Sequence, residues 1–157
     1  MKNLLIIVGL LIILTVAFYF TQKTMNGGSI SLPGFGTSSK IVIKDKTFKL
    51  LVAKTEKEKE TGLSGKKSLA QDTGMLFPYE QKATPTFWMR GMQFPIDIIF
   101  INDGKIVTLY KNAKPPSSDQ NLSLYRPTQP IDNVLEINAG LSEKYGFNEG
   151  DAVQITL

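Results

Sequence analysis

The chain has 157 residues, with 18 Lys and Arg against 14 Asp and Glu, and it contains no His and no Cys. That composition excludes thiol nucleophiles, cysteine redox chemistry and cysteine zinc sites, and it removes the side chain that most often serves as a general base near neutral pH. All acidic residues and all basic ones except Lys2 and Lys23 fall in 40–157, a net of +2 with the charges scattered, so nucleic acid is not an expected partner.

Leu4 to Phe20 is a run of 17 residues in which Thr15 is the one plainly polar member, flanked by Lys2 and Lys23. As a helix it spans about 25 Å, near the roughly 30 Å hydrocarbon core of a bilayer. It reads as a single transmembrane anchor over 1–22. The alternative is a cleaved signal peptide, but its apolar stretch is shorter, and no small-x-small site follows here, where Ala17 leads into Phe18, Tyr19 and Phe20. Lys2 and the terminal amine, set against Lys23 alone, tip the N-terminus inward. The rest of the chain is then expected outside a cytoplasmic membrane, held near the lipid by a flexible Gly/Ser-rich linker over 23–39.

The remaining 40–157 is long enough to bury a core without disulfides or a structural metal. Lys40 to Lys44 and Thr47 to Ala53 alternate apolar and polar residues and read as a hairpin. Thr55 with Glu58 has the capping-box spacing, and Gly62 offers a stop, so Glu56 to Thr61 is expected as a short exposed helix. Met75 to Tyr79, Thr86 to Arg90 and Ile96 to Ile101 follow as strands rich in aromatic and β-branched residues. Asp103-Gly104 is a two-residue hairpin turn that pairs Ile96–Ile101 with Ile106–Tyr110. Ala113 to Pro130 shows no periodicity and carries four prolines, the kind of long loop that often has a function. Asn133 to Ile137 resumes a strand, Leu141 to Tyr145 fits a short helix ended by Gly146, and Ala152 to Leu157 is the last strand. The expected fold is mainly β, a compact barrel-like or sandwich domain of seven to eight short strands with two short helices. No internal repeat, no βαβ alternation and no dinucleotide-binding glycine pattern is visible.

Gly62-Leu63, Gly74-Met75-Leu76-Phe77, Phe87-Trp88-Met89-Arg90, Pro95-Ile96-Asp97, Val134-Leu135-Glu136 with Gly140, and Gly150-Asp151 occur in one order across the domain. In that order and spacing the chain resembles the domain-of-unknown-function family 192. The resemblance implies a small β-rich domain, often exported or membrane-tethered, with no established biochemical role. The chain departs from the family pattern at Trp88-Met89-Arg90-Gly91-Met92, where Trp-Met-Lys-Asn-Thr is usual, and at Ser64, where Met is usual.

On an extended strand Trp88 and Arg90 share a face, and Asp97 is the carboxylate to consider with them. The cluster reads either as a polar-ligand site or as an internal ion pair that fixes strand register. Tyr125 and Arg126, near the end of the long loop, are candidate loop contacts. Ser64 and Lys67 match the S-x-x-K spacing of a serine-lysine dyad, a pattern that common residues produce readily by chance. The carboxylates Asp97, Asp103, Asp132, Glu136 and Asp151 sit on separate segments, without calcium-loop spacing, so no metal or cofactor is expected. The Met75, Met89 and Met92 set with Phe77, Phe87, Phe94 and Phe100 reads as core or as an apolar groove. The function expected is a non-catalytic binding or accessory module for a cell-envelope component or a membrane protein partner. The alternative is a hydrolase or lyase acting on envelope glycan or peptide through Asp97 and Arg90.

Overall fold

A computed structural model describes residues 39–117 and 122–157. The anchor and nearly all of the linker lie outside the described residues, and no helix among those described is long and apolar enough to cross a membrane. The expected opening hairpin is present as β1 (Lys40–Ile43) and β2 (Lys46–Val52), antiparallel across a turn in which Lys44 takes a φ of +55°. The helix α1 (Glu56–Thr61) follows and carries the full capping box. The Glu58 amide donates to Thr55 Oγ1, while Glu58 Oε2 accepts from the Thr55 and Lys54 amides, satisfying donors the first turn leaves open.

Five strands remain: β3 (Thr73–Ala83), β4 (Ile96–Asn102), β5 (Lys105–Ala113), β6 (Ile131–Asn138) and β7 (Val153–Thr156). Asp103 and Gly104 turn β4 into β5 with φ values of +49° and +69°, as the dipeptide predicts. A second short helix, α2 (Leu141–Lys144), comes between β6 and β7, and Gly146 follows it at φ +65°.

All seven strands form one sheet in the order β5-β4-β6-β3-β2-β1-β7. Its two outer strands meet at one end, where Lys105 bridges Ala152 and the Val153 amide donates to the Gly104 carbonyl at 2.8 Å. The sheet is therefore a curled half-barrel and not two stacked layers. Because β4 and β6 lie in the middle, both of their faces are covered, and that is why Ile96–Ile101 reads as an unbroken apolar run apart from Asp97.

Each face carries its own core. On the inside of the curl Ile41, Phe48, Leu76, Ile99, Leu135 and Phe147 pack together under α2. On the outside Met75, Phe77, Ile98, Phe100 and Val134 are roofed by Leu63, Met89 and Phe87 from the connecting segments. Perpendicular ring pairs run from Phe77 through Phe87, Phe100 and Tyr110 to Tyr125, with centroids 5.1 to 6.0 Å apart.

Two expectations differ from the structure. Thr86–Arg90 is not a strand: Phe87 alone makes an isolated bridge with Tyr125, and the chain then turns, with the Met92 amide donating to the Met89 carbonyl and Gly91 at φ +69°. Pro85 and Pro95 bracket the segment and cannot donate to a ladder, and the buried Met89 pulls the turn inward. Conversely, β2 and β3 run parallel and are joined through α1, a single β-α-β crossover. The helix is expected from its capping box, but it buries none of its residues, and without an apolar stripe nothing in the sequence marks it as a crossover between parallel strands.

Candidate functional site

The Arg90, Trp88 and Asp97 cluster divides. Arg90 does lie over the Trp88 ring, 5.7 Å from its centroid, although the backbone there is a turn. Asp97 is fully buried and belongs to the other side of the sheet. Its Oδ1 accepts from the backbone amides of Asn112 at 2.8 Å and Gly140 at 3.2 Å, and its Oδ2 from that of Ser142 at 2.8 Å. Gly140 precedes α2 and has no side chain to cap it, so Asp97 supplies the cap from β4, where a carboxylate is favoured. The same carboxylate ties down Asn112, at φ +56° beside the register shift between β4 and β5. Among the described residues Arg90 forms no ion pair.

Tyr125 and Arg126 act as struts. The Tyr110 hydroxyl donates to the Arg126 carbonyl at 2.8 Å, and Arg126 Nε donates to Thr86 Oγ1 at 3.0 Å. The loop thereby pins Thr86 and Phe87 against the sheet. Ser64 and Lys67 form no dyad: Ser64 Oγ donates to the Arg90 carbonyl at 2.9 Å, and Lys67 is exposed and not on a helix. The same Ser64 Cβ stands 3.3 Å from where a Cβ on Gly91 would lie, so small residues at both positions let the two turns close together. Asp103 and Asp151 do turn and loop work, Asp151 accepting from the Asn148 amide and pairing with Lys44. Among the described residues no three acidic side chains converge as a metal site would require.

What the turns enclose is a cavity of about 390 Å³ on the outer face of the sheet, and Glu136 lies in its wall. In β6 Glu136 alternates with Leu135 and Ile137, which face the inner core, and so projects outward beside Val134. Its partners across the ladder are Met75 on β3 and Ile98 on β4, both apolar and buried. A carboxyl is thus planted in an apolar row. The residue is 6 % exposed, and its Oε2 has no hydrogen-bond partner. Burial pushes the Glu136 pKa up to about 8, so the free protein holds a neutral acid there at pH 7.

Around that carboxyl stand Phe77 and Phe87, with Met92 and the rim residue Trp88, which is 41 % exposed. On the α1 side Lys59 reaches 4.6 Å over the Tyr79 ring and pairs with Glu56 at 3.1 Å. Tyr79 is half-buried, and burial, with the charges of Glu56 and Glu136, pushes its hydroxyl up to about 12. Of the cluster chosen from the sequence, only Trp88 lines this cavity. Glu136, seen there only as one of several scattered carboxylates, is the one among them that lines it. The available signal was a lone acid inside Val134-Leu135-Glu136-Ile137, on the face that Val134 marks as buried.

Fold and cavity together define a class: a small half-barrel domain with a buried carboxyl in the wall of an aromatic-lined pocket. The chain belongs to domain-of-unknown-function family 192, described as Uncharacterized ACR, whose model matches residues 39–155. It is similar to a crystal structure of a protein of unknown function from Novosphingobium aromaticivorans, at 30 % identity over 74 % of this chain and 82 % of that one, with a TM-score of 0.67. It is also similar to a Sinorhizobium meliloti protein provisionally described as a transcription regulator, at 30 % identity over 74 % of this chain and 91 % of that one, with a TM-score of 0.63. No curated protein matches the chain.

Proposed function

We propose that this is a membrane-tethered, outward-facing domain that binds a small ligand in the cavity walled by Glu136, Phe77, Phe87 and Trp88, without catalysis of its own. The observation that carries the reading is the Glu136 carboxyl, almost wholly buried in the wall of that cavity with an oxygen that nothing in the described protein satisfies. Buried polar groups are ordinarily paired, and an unpaired one in an aromatic cavity fits a group kept for a ligand. A non-catalytic role is favoured because Asp97, the carboxylate of the hydrolase alternative, is engaged by three backbone amides, and because the chain has neither His nor Cys. Tethering rests on the apolar run Leu4–Phe20 and the outward orientation on Lys2.

The test is thermal unfolding of the full chain against glycan fragments, peptides, lipids, amines and divalent metals, beside Trp88→Ala. A ligand at a hundred times its dissociation constant adds about 2.7 kcal/mol. A shift present in the wild type and reduced in Trp88→Ala is expected; a panel without any shift overturns the pocket. Protease access to the domain in intact cells checks the orientation separately, and protection there overturns the outward placement.

A further inference from the structure

Resting on that pocket reading, we infer that the ligand is uncharged and is recognised through a carbonyl oxygen beside an apolar face, the chemistry of an N-acetylated sugar unit. Four features of the pocket converge on this class. The first is the donor. Glu136 stands in the cavity wall between Met75 and Ile98, its Oε2 closed to solvent and without a partner, and a half-turn of the carboxyl exchanges its two oxygens, so the neutral acid can turn one O–H to an acceptor in the cavity that the protein does not provide. A buried acid held neutral donates well to a carbonyl, and an amide oxygen is the stronger acceptor among neutral groups of sugars.

The second is charge. A cationic ligand would be repelled by the cations already seated on the aromatic rings, Lys59 at 4.6 Å over Tyr79 and Arg90 at 5.7 Å over one face of Trp88. An anionic ligand would meet the carboxylates of Glu56 and Glu60, with the nearby Lys59 already paired to Glu56. The titratable groups that face Glu136 across the cavity are Glu56, Lys59 and Glu60 on α1 and Tyr79 on β3, and no basic group lowers the Glu136 pKa.

The third is the wall. Trp88, 41 % exposed at the mouth, presents a flat ring on which the C–H face of a sugar can lie, while Met92, Phe77 and Leu63 form an apolar lining suited to an acetamido methyl. The fourth is size: about 390 Å³ lies at the small end of the 300–1,000 Å³ usual for ligand pockets, which suits one or two sugar units and not a long chain.

The experiment is isothermal titration of the full chain, held in a sugar-free detergent, with N,N′-diacetylchitobiose, the corresponding glucosamine dimer and cellobiose, from pH 6 to 9.5. We expect the acetylated dimer to bind at least tenfold more tightly than either of the others. Its affinity should be level up to about pH 8 and then fall by about tenfold per pH unit as the donor proton is lost. Glu136→Gln keeps a donor and should keep binding while flattening the pH profile; Trp88→Ala, at an exposed position, should weaken binding about tenfold or more with the fold intact. No heat from the acetylated dimer at millimolar concentration overturns the inference, as does a pH profile that Glu136→Gln leaves unchanged. Tighter binding of the glucosamine dimer with proton release also overturns it, while leaving a ligand pocket at Glu136 standing.

Discussion

Replacing Glu136 with Gln should make the protein more stable, and only above mildly acidic pH. The folded carboxyl titrates near 8, against an ordinary value of 4.5, because it is buried between Met75 and Ile98. Below the ordinary value the acid is neutral in both states, and its burial carries no charge penalty. As pH rises the unfolded chain ionises first, so folded stability falls through the window from 4.5 to about 8 and then levels off. At about 1.4 kcal/mol per unit, the whole window removes about 5 kcal/mol, a large share of the 5–15 kcal/mol typical of a domain. Gln has nearly the same shape and no proton to lose, so Glu136→Gln should match the wild type near pH 4 and exceed it by several kcal/mol at pH 8.5. Urea unfolding at half-unit pH steps measures both curves, with the midpoint compared at constant slope. Parallel curves for the two proteins from pH 4 to 8.5 would refute the buried neutral acid and with it the electrostatic description of the pocket.

Three further substitutions probe the frame. Asp97→Asn turns an acceptor of three backbone amides into a group with one oxygen and a competing N–H₂; it should cost about 2–4 kcal/mol in urea, and a loss under about 1 kcal/mol would contradict its role as the cap of α2. Gly74→Ala would set a Cβ 2.8 Å from Leu135 Cδ1 and 3.1 Å from the Glu136 carbonyl, so about 1–3 kcal/mol of overpacking is expected, read as a fall in Tm; an unchanged Tm would show that β3 and β6 can separate freely. Thr55→Ala removes half of the capping box and should lower stability by about 1 kcal/mol, with circular dichroism and urea unfolding as the readout; no loss would mean that α1 is held by packing and not by its caps.

Elements with a local cause were legible. The capping box at Thr55 and Glu58, the Asp103-Gly104 turn and the opening hairpin are set by residues a few positions apart, and each is present. The segment Thr86–Arg90 was misread because its composition favours a strand, whereas its path is decided by Met89 entering the outer core and by Ser64, 26 positions back, holding the Arg90 carbonyl. The site followed the same division. Trp88 and Arg90 are close in sequence and were brought together, but Asp97 went to the opposite face, since its partners Gly140 and Ser142 lie more than 40 positions away. Glu136 was visible as a lone acid in an apolar strand, yet what makes it a site is the roof of distant segments over it, which no local pattern encodes.

The order of strands also bears on how the domain reaches this shape. β1 with β2 and β4 with β5 are hairpins between neighbours in sequence, but the middle of the sheet is made by β6 entering between β4 and β3. Met75 meets Glu136 across 61 positions, so the middle of the sheet depends on a long-range and therefore slow loop closure. Until β6 arrives, the apolar edges of β3 and β4 lack their shared partner, and the same strand that plants the acid in the pocket also completes the sheet. Such unpaired edges are where one chain can take a strand from another. Refolding at rising concentration should therefore lose yield well before it loses speed, and the lost protein should collect as strand-exchanged assemblies.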